Sequence, residues 1–193
     1  MQIYIEDQRL ALLKYTHEDD RDMYKCWKNK DTQRGHNYII TESFEEFTKN
    51  DLSVYRFFAV IYDKRIKRKV GCLRLSRFLS NPDLSIWIYK KHRKKGYGKH
   101  AYYLGLKYCF ETLHLPQVSA GCYESNYYSH KILTSLGMIR DRKNDMYERN
   151  VFTGERMLQL SYKLDYDHFL SKTIKQSFRN SQHHAQQANP PGL

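Results

Sequence analysis

One stretch narrows the folding options more than any other: DLSIWIYKKHRKKGYGKHAYYLGLKYCFET, residues 83–112. It opens with an apolar run to Tyr89 that has little polar alternation beyond Ser85, the pattern of a central strand buried on both faces. Residues 90–100 follow, with six Lys or Arg in eleven positions and glycines at 96 and 98. Ala101, Leu104, Tyr108 and Cys109 then mark one face of a helix running to about Thr112. The amides at a helix N-terminus have no intrahelical partner, and the dipole adds partial positive charge there. Glycines let the main chain bend and let phosphate oxygens approach without a Cβ in the way. Arg93, Lys94, Lys95 and Lys99 surround the turn with full charges. The combination is a phosphate cradle, although GxGxxG and GxxxxGK[ST] are both absent.

The remaining segments supply a single α/β domain. Residues 9–15 read as a strand, and 16–29 as a helix capped by Thr16 with acids in its first turn. Residues 31–40 form a polar, aromatic loop, and 41–50 a second helix capped by Thr41 or Ser43. Residues 54–62 and 69–78 make an antiparallel hairpin across the basic turn DKRIKRK. Residues 117–123 are a strand, and 125–136 a helix stopped by Gly137. A closing hairpin turns at residues 152–154. The domain is expected to span 1–169, and the polar tail 170–193, ending Pro-Pro-Gly, to be disordered. His183 and His184 have no acidic or cysteine partners beside them, so no metal site is expected.

Composition constrains partners rather than fold. Lys and Arg total 33 against 21 Asp and Glu, a formal charge of +12. That balance favours an anionic ligand such as a nucleotide, RNA or acidic lipid without choosing among them. Aromatics at 15%, with 17 tyrosines, point to a folded domain. The four cysteines form no CxxC pair and read as reduced thiols in a cytoplasmic protein. Neither a signal peptide nor a membrane span is visible.

Three spaced motifs resemble the GNAT superfamily of acyl-coenzyme A-dependent N-acyltransferases. The loop motif [QR]-x-x-G-x-[GA] is met by Arg93-Lys94-Lys95-Gly96-Tyr97-Gly98. The Rim-type branch, which acetylates ribosomal proteins, carries N-x-x-S-x-x-[VI]-L-x-x-L-G-[FM], and this chain has Asn126, Ser129, Ile132, Leu133, Leu136, Gly137 and Met138 in register. That branch's [ED]-L-x-x-W is met by Asp83-Leu84-Ser85-Ile86-Trp87. The resemblance spans about residues 9–166 and is sharp only over 83–138. It implies a mixed, mostly antiparallel central sheet with a splayed strand pair and helices on both faces.

The resemblance also implies acetyl-CoA as acyl donor. Backbone groups at Trp87, Ile88 and Tyr89 would bond the pantetheine arm, and amides from Lys94 to Lys99, through Gly96, Tyr97 and Gly98, would hold the pyrophosphate. Arg93 or a nearby lysine would reach the 3′-phosphate, Asn126 would bond the arm, and Ser129 would lie near the sulfur. Amine attack on a thioester needs a base, an oxyanion donor and a proton for the thiolate. Asp83 and Glu124 are the base candidates, an amide near Ile88 the oxyanion donor, and Ser129 the preferred acid. The tyrosine that many members place four residues before the terminal glycine is Leu133 here. Cys122 lacks a base at recognisable spacing, which favours direct transfer in a ternary complex over an acyl-cysteine.

The acceptor wall is expected at residues 31–40, with Arg34, His36 and Tyr38 facing a small amine, an amino sugar or a peptide N-terminus. Either a monomer or a homodimer fits, without a membrane and with nucleic acid disfavoured. Two rival readings stand beside the enzyme: a CoA-sensing module on the same fold, and an RNA-binding protein. The second predicts affinity falling steeply with salt, but the chain lacks an RNP strand or GXXG clamp.

Overall fold

The computed structural model describes residues 2–77 and 82–172. His183, His184 and all of the tail beyond residue 172 lie outside them. Five strands form one antiparallel sheet in sequential order: β1 (Ile3–Glu6), β2 (Leu10–Lys14), β3 (Tyr55–Asp63), β4 (Arg68–Ser76) and β5 (Leu84–Ile88). A second antiparallel sheet is built on β9 (Arg156–Asp165), which pairs with β6 (Gln117–Tyr123), β7 (Ile139–Arg140) and β8 (Met146–Arg149). The expected α/β fold with a splayed pair is present. The two sheets meet where β5 and β6 run parallel, joined by a bridge of Asp83 with Ser119 and by Ser119 N–H to the Pro82 carbonyl at 2.8 Å.

Helices cover both faces of the first sheet. On one face α4 (Tyr97–Lys107) packs over Leu12, Ala59, Leu73 and Leu84, forming the larger core. Its Gly105 permits this approach, because a Cβ there would lie 2.6 Å from Leu73 Cδ2. The opposite face buries Phe58, Val60, Cys72 and Trp87 against Met23 and Cys26 of α1 (Asp20–Trp27). All four cysteines are buried and unbridged.

Several elements depart from expectation. The segment 31–40 is not all loop, since Lys30–His36 is a helix, α2. It has no apolar stripe and contains Gly35, so periodicity could not reveal it. The Asn29 side chain caps it, accepting from Thr32 N–H at 3.2 Å, and Asn37 ends it at φ 49°. The helix expected over 41–50 shrinks to α3 (Phe44–Phe47), capped reciprocally by Ser43 and Glu46. β1 and the short β7 went unpredicted. The helix α5 (Tyr127–Ser135) is followed by Gly137 at φ 91°, as expected. Residues 166–172 are helical, in a segment labelled α6 that runs past the expected boundary at 169 and buries Phe169 in the larger core.

Candidate active site

The Asp83–Ser119 bridge is the closed end of a cleft. Beyond it β5 and β6 diverge, and each leads into a helix, so the N-termini of α4 and α5 both stand at the open end. A cavity of about 160 Å³ fills the gap, lined by Asp83, Ser85, Ile86, Cys122, Asn126 and Ser129 among others. From above, α2 contributes Gly35 and His36. A Cβ on Gly35 would sit 3.6 Å from Asn126 Nδ2, so this helix rests directly on the α5 cap.

At the mouth, Gly96 takes φ 81° as the N-cap of α4, and Lys94 is also left-handed at φ 59°. The first intrahelical bond runs from His100 N–H to the Gly96 carbonyl at 3.3 Å. The amides of Tyr97, Gly98 and Lys99 therefore have no intrahelical partner. Lys94, Lys95 and Lys99 are exposed around them, and Lys94 Nζ lies 5.9 Å from the Tyr128 ring of α5. The Tyr97 side chain points away into the core, donating to Asp63 at 2.8 Å. Gly98 acts differently from expectation: a Cβ there would lie 3.1 Å from Ile132 Cδ1 and 3.8 Å from Ile88 Cγ1. It keeps the cleft mouth narrow-walled and closely packed rather than facing phosphate.

Arg93 is the main correction in the loop. Its guanidinium donates to the Ile88 carbonyl at 3.1 Å, Asn29 Oδ1 at 3.2 Å and Thr32 Oγ1 at 2.6 Å, and it pairs with Asp31 at 3.5 Å. The residue pins the loop to the start of α2 and is not turned toward the phosphate mouth. Trp87 and Tyr89 are corrected on backbone grounds. Tyr89 N–H bonds the Val70 carbonyl of β4, and strand alternation directs Trp87's groups the same way. Ile86 and Ile88 therefore carry the backbone groups on the open edge of β5.

The catalytic candidates separate. Asp83 sits at the cleft floor, accepting from Ser85 Oγ at 2.7 Å. Burial pushes its carboxyl above the ordinary range, against the opposing hydrogen bonds from Ser85 and the Gly121 amide and the field of Arg74. Glu124 is exposed beyond the end of β6, outside the cleft lining, so the structure does not bring it to the site. Ser129 is half-buried in the lining, its N–H capped by Asn126 Oδ1 at 3.2 Å. Burial pushes the Cys122 thiol up to about 11, which keeps it protonated at neutral pH.

A second cavity of about 540 Å³ opens on the other face of β5, between the strand and α1–α3. His36 and Tyr38 line it; Arg34 is exposed and does not. Trp27, Phe47, Phe58 and Trp87 supply aromatic walls. His36 stacks on Trp87 at 5.1 Å, and burial, then Arg74 and Arg93, push its imidazole down to about 4. His36 and Ser85 line both cavities, so they mark the junction. Sequence reading passed over Ser85 as a site residue, although its signal was present as the lone polar interruption of the β5 run. Arg74 was missed because nothing in a hairpin pattern marks one arginine as inward-facing.

The comparisons agree with this geometry. The acetyltransferase (GNAT) domain model matches residues 9–139. The chain belongs to the GNAT acetyltransferase family. Its members use acetyl-CoA to acetylate amines, and this chain is an N-acetyltransferase. Among solved structures, spermidine N-acetyltransferase from Vibrio cholerae in complex with CoA and spermine aligns with TM-score 0.74 at 18% identity, covering 85% of this chain and 99% of that one. A GNAT acetyltransferase from Bacillus anthracis gives 0.69 at 18% identity, covering 83% and 97%. Ribosomal-protein-S5-alanine acetyltransferase from Vibrio fischeri gives 0.68 at 14% identity, covering 86% and 97%. A search of curated proteins finds no significant match. Among the described residues no helix is long and apolar enough to cross a membrane.

Proposed function

We propose that the protein transfers an acetyl group from acetyl-CoA directly to a primary amine, with both substrates bound on opposite faces of β5. One observation carries this reading: two cavities share only the His36–Ser85 junction, one between β5, β6 and the start of α5 and the other walled by aromatics. The cleft fits the coenzyme, since its open strand edge and uncapped helix N-terminus offer donors to a polar arm and an anionic end. The thioester supplies the activated acetyl carbon and a thiolate leaving group. Amides of Lys94 to Lys99 take the pyrophosphate, exposed Lys94, Lys95 and Lys99 screen the phosphates, and Asn126 Nδ2 bonds the arm.

Ser85 relays the amine proton. Its hydroxyl already donates to Asp83 and faces the acceptor cavity, so a proton received at Oγ passes to a carboxyl whose basicity burial has raised. The Ile86 and Ile88 amides on the open edge supply the oxyanion donor. Ser129 protonates the departing thiolate from the α5 side. The buried, protonated Cys122 supports direct transfer over an acyl-cysteine.

Thermal unfolding with acetyl-CoA, ATP or NAD tests the first half. A ligand at a hundred times its Kd contributes ~2.7 kcal/mol, or a Tm shift of roughly 5–10 °C at this size. A shift confined to acetyl-CoA, with amine-dependent thiol release, is expected. Equal shifts with all three compounds reduce the loop to a general anion patch, and coenzyme binding without thiol release favours a sensor.

A further inference from the structure

The acceptor cavity contains a mismatch of donors and acceptors that specifies its ligand, given the reading of it as the acceptor site. Arg74 reaches into it from β4, directly opposite Ser85 in the strand register. The guanidinium lies 4.6 Å from the Tyr55 ring and 4.7 Å from the Trp87 ring. Among the described residues its side-chain hydrogen bond goes to Tyr55 Oη at 2.6 Å, and no carboxylate forms a salt bridge with it. Trp87, which lines the same cavity, is 3% exposed, and its indole Nε1 has no hydrogen-bond partner among the described residues. A buried donor without an acceptor is costly and rare. Beside the Trp87 indole the part-buried Arg74 guanidinium spends one N–H on Tyr55 and lines the cavity with the rest of its fork, so the two residues together offer donors to an acceptor group from outside the chain.

The acids of the cavity are already occupied. Asp20 accepts from Tyr15 Oη at 2.7 Å and from His17, Glu42 from Tyr38 and Asn50, and Asp51 from Ser53 through both carboxylate oxygens. The unspent capacity at depth is therefore for an anion. An ammonium placed there would meet a guanidinium that no carboxylate among the described residues contacts, the Asp83 carboxyl acting on it only through its field.

We infer that the acceptor is an amino acid: an amine bearing a carboxylate a few bonds from its reacting nitrogen, with that carboxylate held by the Arg74 guanidinium and the Trp87 indole N–H. The short separation follows from Arg74 standing across from Ser85, where the amine must lie to meet the thioester. Phe47, Phe58 and Met23 suit an apolar or aromatic side chain. The amine nitrogen bonds to the acetyl carbon, the carbon–sulfur bond breaks, and one amine proton ends on the coenzyme thiol. The products are an N-acetyl amino acid and CoA. Arginine matches a carboxylate in a forked geometry that lysine cannot reproduce.

Thiol release is measured with matched sets of phenylalanine, leucine and methionine, their carboxamides and their decarboxylated amines, plus spermidine. The free acids are expected to exceed amides and amines in kcat/KM by roughly a hundredfold, since a site built to bond a polar group rejects analogues lacking it. Arg74→Gln should raise KM for the acids about tenfold or more while leaving KM for the amides within about threefold, any change in kcat through its field on Asp83 being common to both series, and Trp87→Phe, which keeps the packing, should raise KM for the acids several-fold only. Amides or spermidine turning over as well as the acids, or Arg74→Gln and Trp87→Phe weakening acids and amides alike, overturns the inference. If no amine turns over although acetyl-CoA binds, the acetyl-transfer reading fails on its own. Thermal shifts of the CoA-loaded protein then decide this point, and equal shifts from acids and amides refute it.

Discussion

Replacing Arg93 by Met separates two roles that the loop motif alone cannot tell apart. Methionine keeps much of the aliphatic stem and removes the guanidinium. The loss is three charge-assisted bonds, to Ile88 O, Asn29 Oδ1 and Thr32 Oγ1, and an ion pair to the 64% exposed Asp31 that solvent screens. Bonds to charged groups contribute about 1.5–3 kcal/mol each, but the arginine is 29% exposed and water can replace part of what is lost. A net loss of roughly 2–4 kcal/mol follows, and at this size a Tm drop of roughly 5–15 °C. The assay is thermal unfolding together with titration of CoA and of 3′-dephospho-CoA. A positioning arginine predicts that both affinities fall together and their ratio stays within about twofold, because the guanidinium is spent on Ile88, Asn29, Thr32 and Asp31. A Tm unchanged within about 1 °C with a tenfold collapse of that ratio would mean that Arg93 holds the 3′-phosphate after all.

Gly98→Ala should leave stability within about 1 kcal/mol, since helix propensity favours alanine while its Cβ presses the movable Ile132 Cδ1 at 3.1 Å; acetyl-CoA affinity, read by titration, should still fall as the cleft mouth narrows. Gly96→Ala instead meets open space but holds φ 81°, so calorimetry should show about 1–2 kcal/mol of lost stability. His36 is held neutral in the fold, with its imidazole pushed down to about 4 from an ordinary 6.5. Between those values the unfolded state binds the extra proton, so stability falls as pH drops from 6.5 toward 4, and denaturant melts of His36→Phe should lack that component. Asp83→Asn should cut kcat far more than KM and remove the acid limb of the rate profile, and that limb should lie above the usual carboxylate range because the folded carboxyl is raised.

How much was legible depended on whether a residue's role was local. Gly137 and the helix start after the 90–100 loop were readable because capping and helix-end electrostatics act within a few positions of sequence. α2 was not, because what holds it is Arg93, more than sixty residues away. The same bonds change the reading of Arg93 itself: a cation beside a glycine loop at a helix N-terminus looks like a ligand until its partners are known. Glu124 failed for a different reason. A residue just past a strand end can face either way, and only the turn into α5 settled its exposure.

β5 joins the two halves of the chemistry, and its seven-letter reading from Asp83 to Tyr89 already contains the division. Alternation sends Leu84, Ile86 and Ile88 to the larger core, and Trp87 and Tyr89 to the smaller one. A strand buried on both faces should carry apolar residues at every position, so a serine there needs a reason. Ser85 has one: its hydroxyl stands on the acceptor face, bonded to the carboxyl at the cleft floor. Moving that hydroxyl one residue along would place it on the face packed by α4, with no acceptor cavity before it. In the proposed mechanism the strand is therefore the wall between two binding spaces, and the lone serine is the point where that wall would conduct a proton.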